Sequence, residues 1–274
     1  MPNNITLAKN YTNLLDEVYK KASVTSVLTG DPKMQRAGVN ADEIVYPQIE
    51  TTGLGDYDRA SGYTDGSVKL DWKTSKYNYD RGTKISVDTM DDQETFNISF
   101  GMAGADLMRT KVAPEADAFT FATLAGTTGI TKKTGTIASA GDFLEALLAA
   151  KTAMDDDEVP GELRYLFATS ALLNSVMSLD TIKSKEVLSH YTIQESVPQN
   201  RFYTGIDMLD GKSEDEELGH YKKASAGKDI NFMIVHKPAL INHTSQICFF
   251  ASSKKQRSLK MTGLLHTLLR LKRQ

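Results

Sequence analysis

The sequence predicts a protein of the α+β class, and three features of its 274 residues carry that reading. A glycine-rich stretch lies between two strand-like runs, a long helical pattern of apolar residues follows, and short helices and strands mix over residues 141–235 as in an α+β or α/β layer domain. With 40% hydrophobic and 24% charged residues the chain is ample for a packed core, in one large domain or two smaller ones.

Residues 8–28 place Ala8, Leu14, Leu15, Val18, Tyr19, Val24, Val27 and Leu28 at mostly helical spacing, which gives way at Gly30-Asp31-Pro32. Such a segment cannot bury its apolar face locally, so an arm lying on another element or another subunit is expected. Ile44 to Ile49 is a short strand in which Pro47 indicates an edge position. Thr51 to Gly66 then combines Gly53, Gly55, Gly62 and Gly66 with Asp56, Tyr57, Asp58 and Arg59 and has almost no aliphatic residue, the composition of an exposed tip. Beyond it Val68, Leu70 and Trp72 alternate with Lys69, Asp71 and Lys73, the period of a half-buried strand. Tyr77, Tyr79, Ile85 and Val87 continue in the opposite phase, and a bulge or turn near Thr74 to Lys76 would account for the change. The whole predicts a long hairpin projecting from the body.

Four acids in Asp88 to Glu94 precede the helical pattern of Ile98, Met102, Ala105, Met108, Val112, Ala116 and Phe119, where they complement the helix dipole. From Asp92 to Ala125 this helix would be roughly 50 Å long at about 1.5 Å per residue, with Pro114 kinking or interrupting it. After a threonine- and glycine-rich connection, Gly141 to Met154 is a strong helix that Asp155-Asp156-Asp157-Glu158 closes as a solvated end. Residues 164–168 form an apolar strand, Thr169 or Ser170 caps a helix through Leu172 to Met177, and Glu214 to Glu217 is an acidic surface loop. Ile230 to Val235 is a further apolar strand.

Function classes narrow by what the motifs lack. Asp88, Asp91 and Asp92 have a spacing that could hold Mg²⁺, but no second acidic set or basic phosphate clamp accompanies them, and a helix start explains them. The five histidines show no metal-binding spacing, and no nucleophile elbow, Walker loop or dinucleotide fingerprint occurs. Cys248, the one cysteine, sits between Ile247 and Phe249 as a small core residue. No catalytic residue, cofactor or metal is expected, and no apolar run has the length of a membrane span. Residues 251–274 carry seven Lys and Arg and no acid, so taking these seven charges from the net of −3 leaves −10 on the other 250 residues. So acidic a body is a poor nucleic-acid binder.

In order and spacing these parts resemble the major capsid proteins of tailed phages with the HK97-type fold. The stretch from Val68 to Glu94, V-K-L-D-W-K-T-S-K-Y-N-Y-D-R-G-T-K-I-S-V-D-T-M-D-D-Q-E, is similar to the outgoing half of the extended loop and its junction with the spine helix in phages of Gram-positive bacteria. Pro114 to Ala118, Val159-Pro160 with Arg164 to Ala168, and Ile230 to His236 extend the resemblance over roughly residues 1–250. It implies an N-terminal arm at 1–40, an extended loop with its base at 41–90, a spine helix and peripheral domain at 91–135, an axial domain at 136–235, and a return with a basic tail at 236–274. The implied function is structural: hexamers and pentamers of one subunit build an icosahedral head around double-stranded DNA held non-specifically. Scaffolding, portal and decoration proteins are the implied partners, and the host cytoplasm the implied place of assembly. Leu14, Val18, Asp56, Tyr57, Asp58, Arg59, Trp72, Tyr77 and Tyr79 are the expected contacts between subunits, because the arm and the hairpin extend away from the core. The alternatives are an encapsulin-like bacterial compartment and a metal-dependent enzyme using Asp88, Asp91 and Asp92. The tail departs from the family pattern. Leu259, Leu264, Leu265, Leu268 and Leu271 lie near helical spacing, either as an extension packed on the body or as an amphipathic helix reaching acidic surface or DNA.

Overall fold

The computed structural model describes residues 23–29, 36–37, 43–59, 62–63, 65–76, 78–88, 104–179, 181–212, 220–249 and 256–269. In chain order a 3-10 turn at Thr25–Leu28 leads to β1 (Arg36–Ala37), β2 (Glu43–Thr51), β3 (Val68–Lys76), β4 (Asp80–Arg81) and β5 (Lys84–Asp88). A helix from residue 104 passes through a π turn at Met108–Val112 into α1 (Ala113–Gly126). Then come α2 (Ala140–Asp156), β6 (Arg164–Thr169), α3 (Ser170–Leu179), α4 (Ile182–Ser189), β7 (Ile193–Val197), β8 (Ile206–Met208), β9 (Tyr221–Lys223), β10 (Phe232–His236), β11 (Leu240–Phe249) and β12 (Gln256–Leu269). Asp31–Tyr79 forms one compact unit, and Met1–Gly30 with Asp80–Gln274 forms the other.

The larger unit is organised by β6, which lies between β10 and β7, antiparallel to the first and parallel to the second. All six of its residues are buried. Successive strand side chains point to opposite faces. Leu166 and Ala168 meet Phe143 and Leu147 of α2, Val176 of α3 and Leu188 of α4, while Tyr165 and Phe167 meet Phe121 and Leu124 of α1. Phe121 makes edge-on contacts with Phe167 and Phe202 at centroid separations of 5.4 and 4.8 Å. A strand covered on both faces must be apolar throughout, as this one is except at its ends.

Its first residue, Arg164, is the polar exception and stays buried because its donors are met. Nη2 bonds Asp155 Oδ1 at 2.7 Å and also the Val159 carbonyl, and Nε donates to the Pro160 carbonyl at 3.0 Å. Asp155 also takes Lys151 Nζ at 2.7 Å. The end of α2 is therefore not simply the solvated acidic run expected: its first acid ties the helix to the central strand. Ser139 starts α2 with a reciprocal cap, accepting from Asp142 N–H while its own N–H donates to Asp142 Oδ2 at 2.9 Å.

Pro114 does interrupt the long helix, in a specific way. It has no N–H for the Thr110 carbonyl, and its ring would crowd that carbonyl in a regular helix. The π turn widens the ladder there, with Ala113 N–H reaching back five residues to the Met108 carbonyl. The helix then continues to Gly126. Residues 92–103 of the expected helix lie outside the described residues.

Two expectations are corrected. β3 runs to Lys76 in unbroken register with β2, Val45 opposite Thr74 and Glu43 opposite Lys76, so of the bulge or turn expected near Thr74 to Lys76 the bulge is absent and the strand simply ends at Lys76. The phase change arises because β4 and β5 leave the hairpin for another sheet, where both pair with β12. Second, Gln256–Leu269 of the basic tail is a strand and not an amphipathic helix. It pairs with β11 along one edge and with β4 and β5 along the other, so partners on both sides override the leucine spacing. Residues 214–217 and 270–274 lie outside the described residues.

Asp155→Asn is expected to destabilise the larger unit near neutral pH. Lys151, and after it Arg164, hold the Asp155 carboxyl below its ordinary 3.8. A depressed carboxylate stabilises fully above the unfolded value and loses that contribution as pH falls through the folded one. The gap between parent and variant in denaturant melts should therefore close only on acidification below 3.8. Truncation after Phe250 removes the strand between β11 and β4. Hydrogen exchange should then lose protection in β4, β5 and β11 while β6, β7 and β10 keep theirs.

Candidate assembly surface

The unit Asp31–Tyr79 is a ribbon built on β2 and β3, with β1 beside only the first part of β2. Thr52 N–H donates to the Ser67 carbonyl at 3.1 Å, so even-numbered amides of β2 face β3 and the odd ones face away. Pro47 is odd and lies beyond β1, which pairs only with Ile44 and Val45, so its missing N–H costs no ladder bond.

Residues directly opposite on paired strands share a face. One face carries Pro47 with Trp72, Ile49 with Leu70, and Thr51 with Val68. The reverse face carries Tyr46 with Lys73, Gln48 with Asp71, and Glu50 with Lys69. Lys69 bonds Asp71 at 2.8 Å, and the Asp71 carboxylate, helped by Glu50, raises the lysine above its ordinary pKa. The polar face thus has an internal ion pair of the kind a water-facing surface carries. The apolar one stands open: Ile49, Val68 and Leu70 are each more than half exposed, and Trp72 is 49% exposed.

The tip, expected to be a loop, is in fact closed. Asp58 and Gly62 exchange backbone hydrogen bonds of 3.2 and 2.7 Å, and Gly62 supplies the positive φ of 80° that the turn requires. Tyr57 and Tyr63 flank it with ring centroids 4.8 Å apart, and both rings are exposed. Asp56, Asp58 and Arg59 are exposed around them.

Of the expected contact residues, the hairpin brings Asp56, Tyr57, Asp58 and Arg59 together at its tip and sets Trp72 on the apolar face. Tyr79 is buried by its own chain at 7% exposure. Leu14, Val18 and Tyr77 lie outside the described residues, as do Asp91 and Asp92, while Asp88 ends β5. Among the described residues no three His, Cys, Asp or Glu side chains come together to hold a metal ion, and no helix is long and apolar enough to cross a membrane. A second exposed apolar set, Met177, Leu179 and Ile182 where α3 gives way to α4, is invisible in the sequence because it continues the spacing of helices whose other faces are core.

Several solved structures are similar to this chain. A chain from the capsid of Staphylococcus phage Andhra matches at 10% identity over 90% of this chain and 81% of that one, with a TM-score of 0.54. One from Mycobacterium phage Che8 matches at 12% identity over 90% and 87%, TM-score 0.53. The chain has the HK97-type capsid fold. A virus-like particle from Pyrococcus furiosus shares this HK97-type likeness at 9% identity, covering 96% of this chain and 94% of that one, with a TM-score of 0.50. No protein-family model and no curated protein matches the sequence.

Leu70→Ser is expected to leave the melting temperature of the isolated chain within about 2 °C of the parent, since an exposed substitution typically moves stability by less than about 0.5 kcal/mol. The same change should lower the extent of self-association in sedimentation. An equal effect on both would place Leu70 in the core of its own subunit.

Proposed function

We propose that the chain is the repeating subunit of an icosahedral shell, the head of a tailed bacteriophage, and that it is structural and not catalytic. The observation that carries this reading is the open apolar face of the hairpin on a chain with an HK97-type fold. A small isolated ribbon is marginal in water, so an apolar face built on one calls for a covering surface. Covering a half-exposed Ile, Leu, Val or Trp side chain contributes about 1 kcal/mol, so the four together supply roughly 4 kcal/mol before ordering costs. Contacts this weak can dissociate singly and hold when summed over many neighbours, which lets a growing shell correct its errors.

In this reading Ile49, Leu70 and Trp72 lie on a second copy, and Asp56, Tyr57, Asp58 and Arg59 at the tip make further contacts there. Hexamers and pentamers form in the host cytoplasm with scaffolding and portal proteins, and the acidic body leaves packaged DNA free to move because it offers phosphates little positive charge. The likeness to the Pyrococcus furiosus virus-like particle keeps one second reading, an encapsulin-like compartment shell, which would enclose a protein cargo instead of DNA.

Expression of the full chain followed by electron microscopy and native mass measurement is expected to give capsomers or closed shells, and deletion of Thr52 to Ser67 to abolish them while the subunit stays folded. A monomer at every concentration overturns the proposal. In shells from the native source, DNA protected from nuclease until the shell is opened supports a phage head, and a protein cargo supports the compartment.

A further inference from the structure

The two long edges of the β2–β3 ribbon differ. On the β2 side the outward backbone groups belong to odd residues; β1 pairs there over Ile44 and Val45, and Pro47 interrupts the row because it has no N–H to offer. On the β3 side they belong to even residues, since the Ser67 carbonyl bonds Thr52 and the odd residues after it face β2 in the same alternation. That edge runs from Val68 to Lys76 without a proline or a bulge, and among the described residues no strand pairs with it. A long plain edge is a template for a further strand, which is why sheets normally interrupt one. Its even side chains are those of the open apolar face, with Val68 74% and Leu70 52% exposed.

We propose that the outer edge of β3 pairs with the same edge of a second copy, antiparallel about a two-fold axis at Leu70, so that two hairpins join into one continuous sheet. This rests on the reading of the chain as a self-associating shell subunit and adds to it the partner surface and its register. A two-fold contact has to be complementary to itself, and residues directly opposite share a face. With the axis at Leu70, Leu70 meets Leu70 and Val68 meets Trp72 of the second copy on the apolar face, while Lys69 meets Asp71 of the second copy on the polar face. Lys69 and Asp71 already bond within one strand at 2.8 Å, so the charges of both copies alternate in sign around the axis. Lys73 comes opposite Ser67, and no like charges oppose each other. Shifting the axis to Lys69 or to Asp71 sets like charges face to face, which is destabilising. Shifting it to Trp72 sets Val68 against Lys76 and Leu70 against Thr74, and shifting it to Val68 leaves Leu70 opposite Gly66. Of these registers the one at Leu70 alone matches both faces. Because even residues carry the outward N–H and C=O, Leu70 with itself and Val68 with Trp72 are then the hydrogen-bonded pairs.

Cross-linking of the full-length chain reads the register directly. In a Cys248→Ser background, Leu70→Cys sets two thiols opposite each other on the axis with Cα atoms about 5.5 Å apart, within disulfide reach, and mild oxidation is expected to link most of the associated chain into covalent dimers. Val68→Cys is the control: its two thiols lie about four residues apart along the strands, roughly 13 Å, and should stay largely unlinked. Backbone pairing is tested by Leu70→Pro against Leu70→Ser. Both remove the leucine, but only proline removes the outward N–H, which takes no part in the ladder with β2. Symmetry uses that N–H in both copies, so proline is expected to weaken self-association in sedimentation about tenfold or more beyond serine while the far-ultraviolet spectrum of the parent is retained. In a parent that associates, absence of the Leu70→Cys dimer, linking through Val68→Cys as efficient as through Leu70→Cys, or equal effects of proline and serine each overturn the edge pairing while the shell reading stands. A dimer linked through Leu70→Cys from a chain that builds no shells upholds the pairing and overturns the shell, and a parent that stays monomeric at every concentration overturns both.

Discussion

A fully buried carboxylate is costly unless its lone pairs are filled, and Asp117 fills them with four donors from residues 23–25 together with Arg201 Nη1 at 3.1 Å. Those partners lie 84 to 94 residues away in the chain. One side chain thereby fixes the segment 23–25, α1 and the turn at Gln199–Arg201 against each other. The apolar packing around Phe121 depends on this arrangement, since Leu28 and Phe202, each within three residues of those polar partners, are two of its walls. Replacing Asp117 by an apolar residue would remove the acceptor of all five of these bonds at once.

The two units solve opposite problems. β6 buries side chains on both faces and holds α2, α3 and α4 to one side and α1 to the other, so its stability is internal to its own unit. The hairpin has an ion pair on one face and apolar side chains left open on the other, so its apolar surface adds little to the stability of its own unit.

The hairpin was legible because Val68 to Lys73 alternates and Thr51 to Gly66 is rich in glycine, both local signals. The helix starts were equally local, as the Ser139 cap illustrates. What could not be read is everything set by distant partners. Asp117 sits in Pro114 to Ala118 as one acid among several, and nothing near it announces Ser23, Thr25 or Arg201. Arg164 looks like the polar start of a strand, and only the fold supplies Asp155. In the tail, the leucine spacing of a helix was a weak local preference, overruled once β11, β4 and β5 offered backbone partners on both edges. The closed tip is intermediate: Gly62 hinted at it, but the exchange of bonds with Asp58 depends on a register that composition does not encode.

The position of β12 between β11 and the β4–β5 pair also has a consequence in time. On the ribosome β5 emerges about 170 residues ahead of the strand it must join, an interval of roughly 10 to 30 s at bacterial elongation rates of about 5–20 residues per second. Through that interval the sheet has no middle. A nascent chain therefore holds β4, β5 and β11 without the strand that joins them until synthesis has passed residue 269.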